Sequence, residues 1–150
     1  MELTWNPAAG FEVLLGASVL DAEVEDVGLP GGQIVDNSMP LAPDFTFNTI
    51  VRKAWLIGGS ELAMQVDYNY TDSYYSDSLN TPSAEVDSHG VANARLSYGP
   101  DDGRWQVALN VRNLTDEDEM MFHIPTQLGF SEDAARRPRW ASVQFIYRMN

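Results

Sequence analysis

The chain has 150 residues, 44% hydrophobic and 21% charged, with no cysteine and a formal net charge of -13. That length suits one domain; the absent thiols exclude disulfides, thiolate metal sites and cysteine catalysis. Only nine lysines and arginines stand against 22 acids, so no nucleic-acid partner is expected.

In chain order, strand patterns dominate. Residues 1–5 make a stunted first strand, followed by the turn residues Asn6-Pro7-Ala8-Ala9-Gly10. Over 11–23, Phe11, Val13, Leu15, Ala17 and Val19 fall on one face, with Glu12, Leu14, Gly16, Ser18 and Leu20 opposite. A polar connection at 24–44 leads to 45–55, where Phe45, Phe47, Thr49 and Val51 oppose Asn48 and Arg52. After the tight joint Leu56-Ile57-Gly58-Gly59-Ser60, residues 61–75 alternate most clearly. Leu62, Met64, Val66, Tyr68 and Tyr70 point one way; Glu61, Gln65, Asp67, Asn69 and Thr71 point the other. A second long connection at 76–88 precedes a strand at 89–98, and Gly99-Pro100-Asp101-Asp102-Gly103 turns the chain again. Trp105, Val107, Leu109 and Val111 then alternate with Arg104, Gln106, Asn110 and Arg112 over 104–113. A third long connection, 114–137, leads to 139–149, where Ala141, Val143, Phe145, Tyr147 and Met149 oppose Ser142, Gln144 and Arg148.

Short and long connections thus alternate strictly. The expected fold is all-β: an antiparallel meander of seven long strands, with tight turns at one end and large loops at the other. A transmembrane β-barrel has this asymmetry, with its tight turns on the periplasmic side. The mean hydropathy of -0.26 does not oppose it, because only alternate residues of a barrel strand meet lipid. No apolar run is long enough for a membrane helix. Charges such as Asp67 and Arg112 on the polar face need water beside them, and a wide lumen provides it. Trp5, Phe11, Trp55 and Trp105 lie beside the tight turns, while Tyr68, Tyr70, Tyr74 and Tyr75 lie toward a long loop, as two interfacial girdles would. Bacterial single-chain barrels have even strand numbers, and seven strands would leave two open edges in lipid. No secretion signal opens the chain. An upstream part is therefore expected, with this chain as the incomplete C-terminal portion of a large barrel. Two alternatives are a small soluble ligand-binding barrel of lipocalin type, with Leu62, Met64, Val66 and Tyr68 inside, and an independent small outer-membrane barrel.

Three stretches resemble the C-terminal barrel of TonB-dependent outer-membrane receptors. Asn113-Leu114-Thr115-Asp116-Glu117, after the strand from Trp105, is similar to the family's strand end before its last extracellular loop. Met39-Pro40-Leu41-Ala42-Pro43-Asp44 resembles its "L-P-x-A-P" approach to a descending strand, carried here by Pro40 and Pro43. The ending from Arg137-Pro138-Arg139 through Phe145 and Tyr147 is similar to the family's last strand, although Ser142 replaces a frequent Gly and Met149-Asn150 replaces a terminal aromatic. The resemblance covers nearly the whole chain. It implies residence in the bacterial outer membrane, with surrounding lipid as solvent, and a barrel of about twenty-two strands around a plug. It also implies uptake of siderophore, cobalamin, haem or oligosaccharide, energised by the TonB complex, and recognition of the last strand by the barrel-assembly machinery. Plug and TonB box would lie upstream of residue 1.

The residues themselves supply few further candidates. Tyr70, Tyr74 and Tyr75, with Tyr68, Asp72 and Asp77, suit a ligand mouth, since aromatics stack on flat chelates or sugars and polar groups orient them; the plainer account is girdle and loop packing. Asn113 and Asp116 can bond to backbone where a strand ends, with Leu114 and Thr115 between them. Asp116-Glu117-Asp118-Glu119 with His123 offers oxygens for a hard cation but lacks EF-hand spacing, and a solvated acidic loop explains it better. His89 and His123 fall in different loop regions, so no zinc pair is expected. Arg136-Arg137-Pro138-Arg139 is the one basic cluster; it could meet anionic lipid headgroups or an anionic ligand, but balancing neighbouring acids is the simpler account. No nucleophile elbow or phosphate loop is present; neither an enzyme nor a cofactor is expected.

Overall fold

A computed structural model describes residues 1–118, 120–125 and 130–149. Among the described residues thirteen strands run in chain order: β1 (Glu2–Ala8), β2 (Phe11–Val19), β3 (Glu23–Gly28), β4 (Ile34–Ser38), β5 (Phe45–Ile57), β6 (Ser60–Thr71), β7 (Tyr74–Tyr75), β8 (Glu85–Val86), β9 (His89–Pro100), β10 (Trp105–Arg112), β11 (Met120–Pro125), β12 (Ser131–Ala135) and β13 (Trp140–Tyr147). A 3-10 turn, Pro82–Ala84, precedes β8.

Seven strands make one sheet in the order β1-β2-β5-β6-β9-β10-β13, every neighbouring pair antiparallel. The sheet is not closed: β1 and β13 are its edges. At one end tight joints turn the chain, two residues long between β1 and β2 and between β5 and β6, and four residues long between β9 and β10. Ile57 pairs with Ser60 around Gly58 and Gly59, both at positive φ (56° and 78°), the conformation that fits the twist of a hairpin and that glycine adopts without strain. Gly10 has φ 66°, and a Cβ there would collide with the Ala54 carbonyl oxygen. Its own carbonyl instead accepts from Ala54 N–H at 2.7 Å.

At the other end the long connections are not irregular loops. Each carries a two-stranded ribbon: β3–β4, β7–β8 and β11–β12. This corrects the sequence expectation at two strand ends. The strand expected over 11–23 leaves the sheet after Val19, where Leu20 N–H reaches Asp44 O (2.9 Å) as a last rung; Glu23 belongs to a ribbon. The strand expected over 61–75 stops at Thr71. Asp72 N–H still donates to Phe45 O (3.0 Å), but Ser73 N–H turns onto Asp72 Oδ1 (2.9 Å) and diverts the chain into β7.

Register sorts the sheet into two faces. Trp55, Leu62, Tyr98, Val107 and Phe145 form one ladder row; Lys53, Met64, Leu96, Leu109 and Val143 form the next. The opposite face has Arg52, Gln65, Arg95, Asn110 and Ser142 in one row, with Ala63, Ser97, Ala108 and Gln144 beside it. Burial is inverted relative to a soluble fold. Val143, Phe145 and Leu109 are 74%, 64% and 44% exposed, whereas Ala108 and Ala63, on the polar face, are 1% and 5%. The soluble alternative needs the apolar rows inside, and the structure sets them outside.

Candidate functional site

The polar face is knitted by its own side chains. Arg95 donates to Asn110 Oδ1 (2.7 Å) and Gln144 Oε1 (3.1 Å) through Nη1, and to Gln106 Oε1 (3.1 Å) through Nη2. It reaches Gln106 across the row of Ser97 and Ala108, whose short side chains leave room. Arg52 pairs with Glu61 at 2.8 Å, and Asn93 donates to Asp67 Oδ2 at 2.6 Å. Bonds of this kind let charges sit on a sheet face away from bulk water.

At the ribbon end, the first two long connections are joined. Asn80, at φ 48°, accepts from Ser38 N–H at Oδ1 (2.7 Å) and donates from Nδ2 to Ser38 O (3.1 Å), so one amide copies a strand partner across 42 positions. Asn37 Nδ2 donates to Ser78 O (2.9 Å), and Leu41 N–H donates to Tyr75 O (2.8 Å). Leu41 adopts φ 57° after Pro40, an uncommon conformation for a non-glycine residue that costs about 1 kcal/mol or more. Pro43 lies next to Asp44, whose carbonyl closes the β2–β5 rung. The second ribbon has a small core of Ala84 and Val86.

The expected ligand residues divide. Tyr70 lies on the apolar face opposite Phe47, with its ring 6.0 Å from that of Phe45, so it belongs to an aromatic band. Tyr68, on the same face, fills the space a Cβ on Gly90 would need. Asp72, Tyr74, Tyr75 and Asp77 lie beyond the sheet. Asp77 is engaged by Thr81, accepting from its N–H (3.0 Å) and its hydroxyl (2.5 Å). Tyr74 and Tyr75, with Ser73, face Ser38, Met39 and Asp44 across a cleft of about 100 Å³. Sequence reading did not find the Ser38 and Met39 wall, because bonds between distant positions, those of Asn80, Asn37 and Leu41, bring it there.

The strand end at Asn113 is built from side-chain bonds to backbone. Asn113, at φ 53°, donates from Nδ2 to Glu117 O (2.7 Å) and Arg137 O (3.0 Å), and its Oδ1 accepts from Glu117 N–H (2.9 Å). Leu114 N–H donates to Ala92 O (2.7 Å) and Thr115 Oγ1 to Gly90 O (3.1 Å). Asp116 pairs with Arg139 at 3.1 Å. Glu119 lies outside the described residues, as does the His123 side chain. Among the described residues no three acidic or histidine side chains converge as metal ligands. His89, the first residue of β9, is buried, with Nδ1 3.0 Å from Asp87 O.

On the short-turn side the apolar face carries Trp5, Phe11, Trp55, Tyr98, Trp105 and Tyr147, with the rings of Tyr98 and Trp105 5.9 Å apart edge to face. Phe45, Phe47, Tyr68 and Tyr70 make a second band at the ribbon end. An open sheet, apolar outward between two aromatic bands and hydrogen-bonded inward, is a wall of a membrane-spanning β-barrel. Residues 1–114 match the family described as TonB dependent receptor-like, beta-barrel. The chain belongs to that family.

The fold agrees with two solved receptors. The ferric yersiniabactin uptake receptor FyuA from Yersinia pestis matches at TM-score 0.76 and 14% identity, over 96% of this chain and 22% of that one. The siderophore receptor PiuA from Acinetobacter baumannii matches at 0.72 and 20%, over 96% of this chain and 20% of that one. The chain spans about a fifth of their length.

Proposed function

We propose that this chain is the C-terminal part of the barrel of an outer-membrane active-transport receptor, preceded in the full protein by further strands and a plug. Its cargo is a ferric siderophore, and TonB energises uptake. The observation that carries the reading is the outward exposure of Leu109, Val143 and Phe145 beside an inward face of satisfied polar groups, a distribution stable only with hydrocarbon outside and water or protein inside. Family membership supports it, and the two solved structures that this chain resembles are by name a ferric yersiniabactin uptake receptor and a siderophore receptor. Cobalamin, haem and oligosaccharide are the other cargo classes such a barrel serves.

In this reading the ribbon end faces outward from the cell, and Tyr74 and Tyr75 line part of the ligand mouth with Asp72 beside them. Asp77 positions the ribbon, and Tyr70 anchors the barrel. A cleft of about 100 Å³ is well below the roughly 300–1,000 Å³ of a whole-ligand pocket. It admits one ring of a chelate, and segments outside this chain complete the site. Strand β13, with Phe145 and Tyr147 outward, is what the barrel-assembly machinery reads.

The test is transport by the full-length gene product. In a strain lacking the gene, labelled ferric siderophore uptake should be lost and then restored by the intact gene, and only when TonB is present. Restoration should weaken when residues 76–88 are deleted. A full-length protein found in the soluble fraction would overturn the membrane reading. Uptake of haem or cobalamin in place of ferric siderophore would overturn the cargo.

A further inference from the structure

Lys53 is the only lysine in the sequence. Among the described, paired residues of the seven-stranded sheet it is also the sole charged side chain on the apolar face. Its ladder partners are Phe11 and Met64. An ammonium among such neighbours is costly unless its head reaches polar surroundings. The side chain runs toward the tight turns, where Nζ donates to Ala9 O at 2.9 Å. It lies over the rings of Phe11 and Trp55, at 5.9 and 6.0 Å from their centroids. One of its three donors is thereby used.

A second feature adjoins it. On the same face β9 presents Gly90, which Tyr68 covers, and then the short side chains of Ala92 and Ala94. Met64, Ala94, Leu96, Leu109 and Val111, with Arg95 between the two β9 side chains, line a shallow open dent of about 120 Å³. Lys53, Met64 and Leu96 are successive ladder partners, so the dent begins about 5 Å from Lys53 and is centred near 10 Å. That offset runs across the strands; because the Lys53 side chain reaches toward the tight turns, its head lies nearer the interface than the dent, and one lipid, in a leaflet roughly 15 Å deep, reaches both.

We propose that Lys53 and this dent bind one phospholipid of the periplasmic leaflet, with the phosphodiester on Nζ and an acyl chain in the dent. The assignment rests on the membrane reading above. A cation at the lipid interface complements a phosphate, and the flanking aromatic rings cover the glycerol region. The dent gives a few methylenes of the chain fixed apolar walls on one side.

The full-length receptor, purified in mild detergent and incubated with phosphatidylglycerol, should retain one lipid by native mass spectrometry. Lys53→Gln should lower the retained fraction roughly fivefold, the effect of one lysine near a membrane surface. Lys53→Arg should keep it, and Ala94→Phe, which fills the dent, should lower it. Diacylglycerol with the same chains, and inorganic phosphate, should each fail to compete. Equal retention in Lys53→Gln and Ala94→Phe overturns the site. So does competition by inorganic phosphate, which would mark an anion site without a tail, or a doubled receptor mass, which would assign the dent to a second copy. Failure here leaves the receptor in the membrane without a retained lipid, whereas failure of the membrane reading puts it in the soluble fraction.

Discussion

Asn113 stands where the β10 ladder ends, at φ 53°, with its amide bonded to the backbone of Glu117 and Arg137. Asparagine tolerates that φ better than alanine, and each bond adds about 1 kcal/mol. Asn113→Ala should therefore destabilise the barrel by roughly 2–3 kcal/mol, and Asn113→Gly should recover only the backbone share; thermal unfolding in detergent measures both. In the third tight turn, Asp102 accepts from Arg104 N–H (3.0 Å) and Arg104 Nε (2.6 Å), and these bonds hold its carboxyl below the ordinary carboxylate value. A depressed folded-state pKa contributes stability that is present above the unfolded value and is lost as pH falls through the folded one. Below roughly pH 4 the wild-type turn should loosen by acid titration. Asp102→Asn, which carries no such charge, should show no titration there.

Among the elements, the seven sheet strands were legible and the ribbons were not. Residues 60–71 show strict alternation because each side chain meets one of two contrasting media, and that contrast is written into the sequence. Glu23–Gly28 meets water on both sides. It carries Glu23, Glu25 and Asp26 without alternation, and it shifts register where Asp26 turns to φ 57°. Nothing local marks it as a strand. The Asn80 bridge to Ser38 was equally hidden, since it joins positions 42 apart. The tyrosines at 70, 74 and 75 read as one group in sequence. The strand end at Thr71 separates the first of them from the others, and only the register reveals this. If the bridge couples the first two ribbons, Asn80→Ala should raise hydrogen exchange at Ser38 N–H by about tenfold, the effect of losing roughly 1.4 kcal/mol of bonding, without changing exchange in β6. Unchanged exchange at Ser38 would show that the ribbons hold together by other means.

Charge divides the whole molecule along its long axis. In the sheet and tight turns, Glu2, Glu12, Glu61, Asp67, Asp101 and Asp102 balance Arg52, Lys53, Arg95, Arg104, Arg112 and Arg148, so the entire net charge of -13 belongs to residues 20–44, 72–88 and 113–139. The face rule makes a sharp prediction for neighbours on β13. Val143→Arg should cost about 2–4 kcal/mol of stability in lipid, and Ser142→Arg, facing inward, less than half of that; unfolding in vesicles separates them. Alone in water the 150-residue chain should associate through its apolar face and its two edges, and show no cooperative melt. The knitted inner face has a mechanical consequence. Arg95, Arg52 and Asp67 already hold partners within their own wall, so in the proposed receptor these three side chains would offer little grip to a body sliding past them.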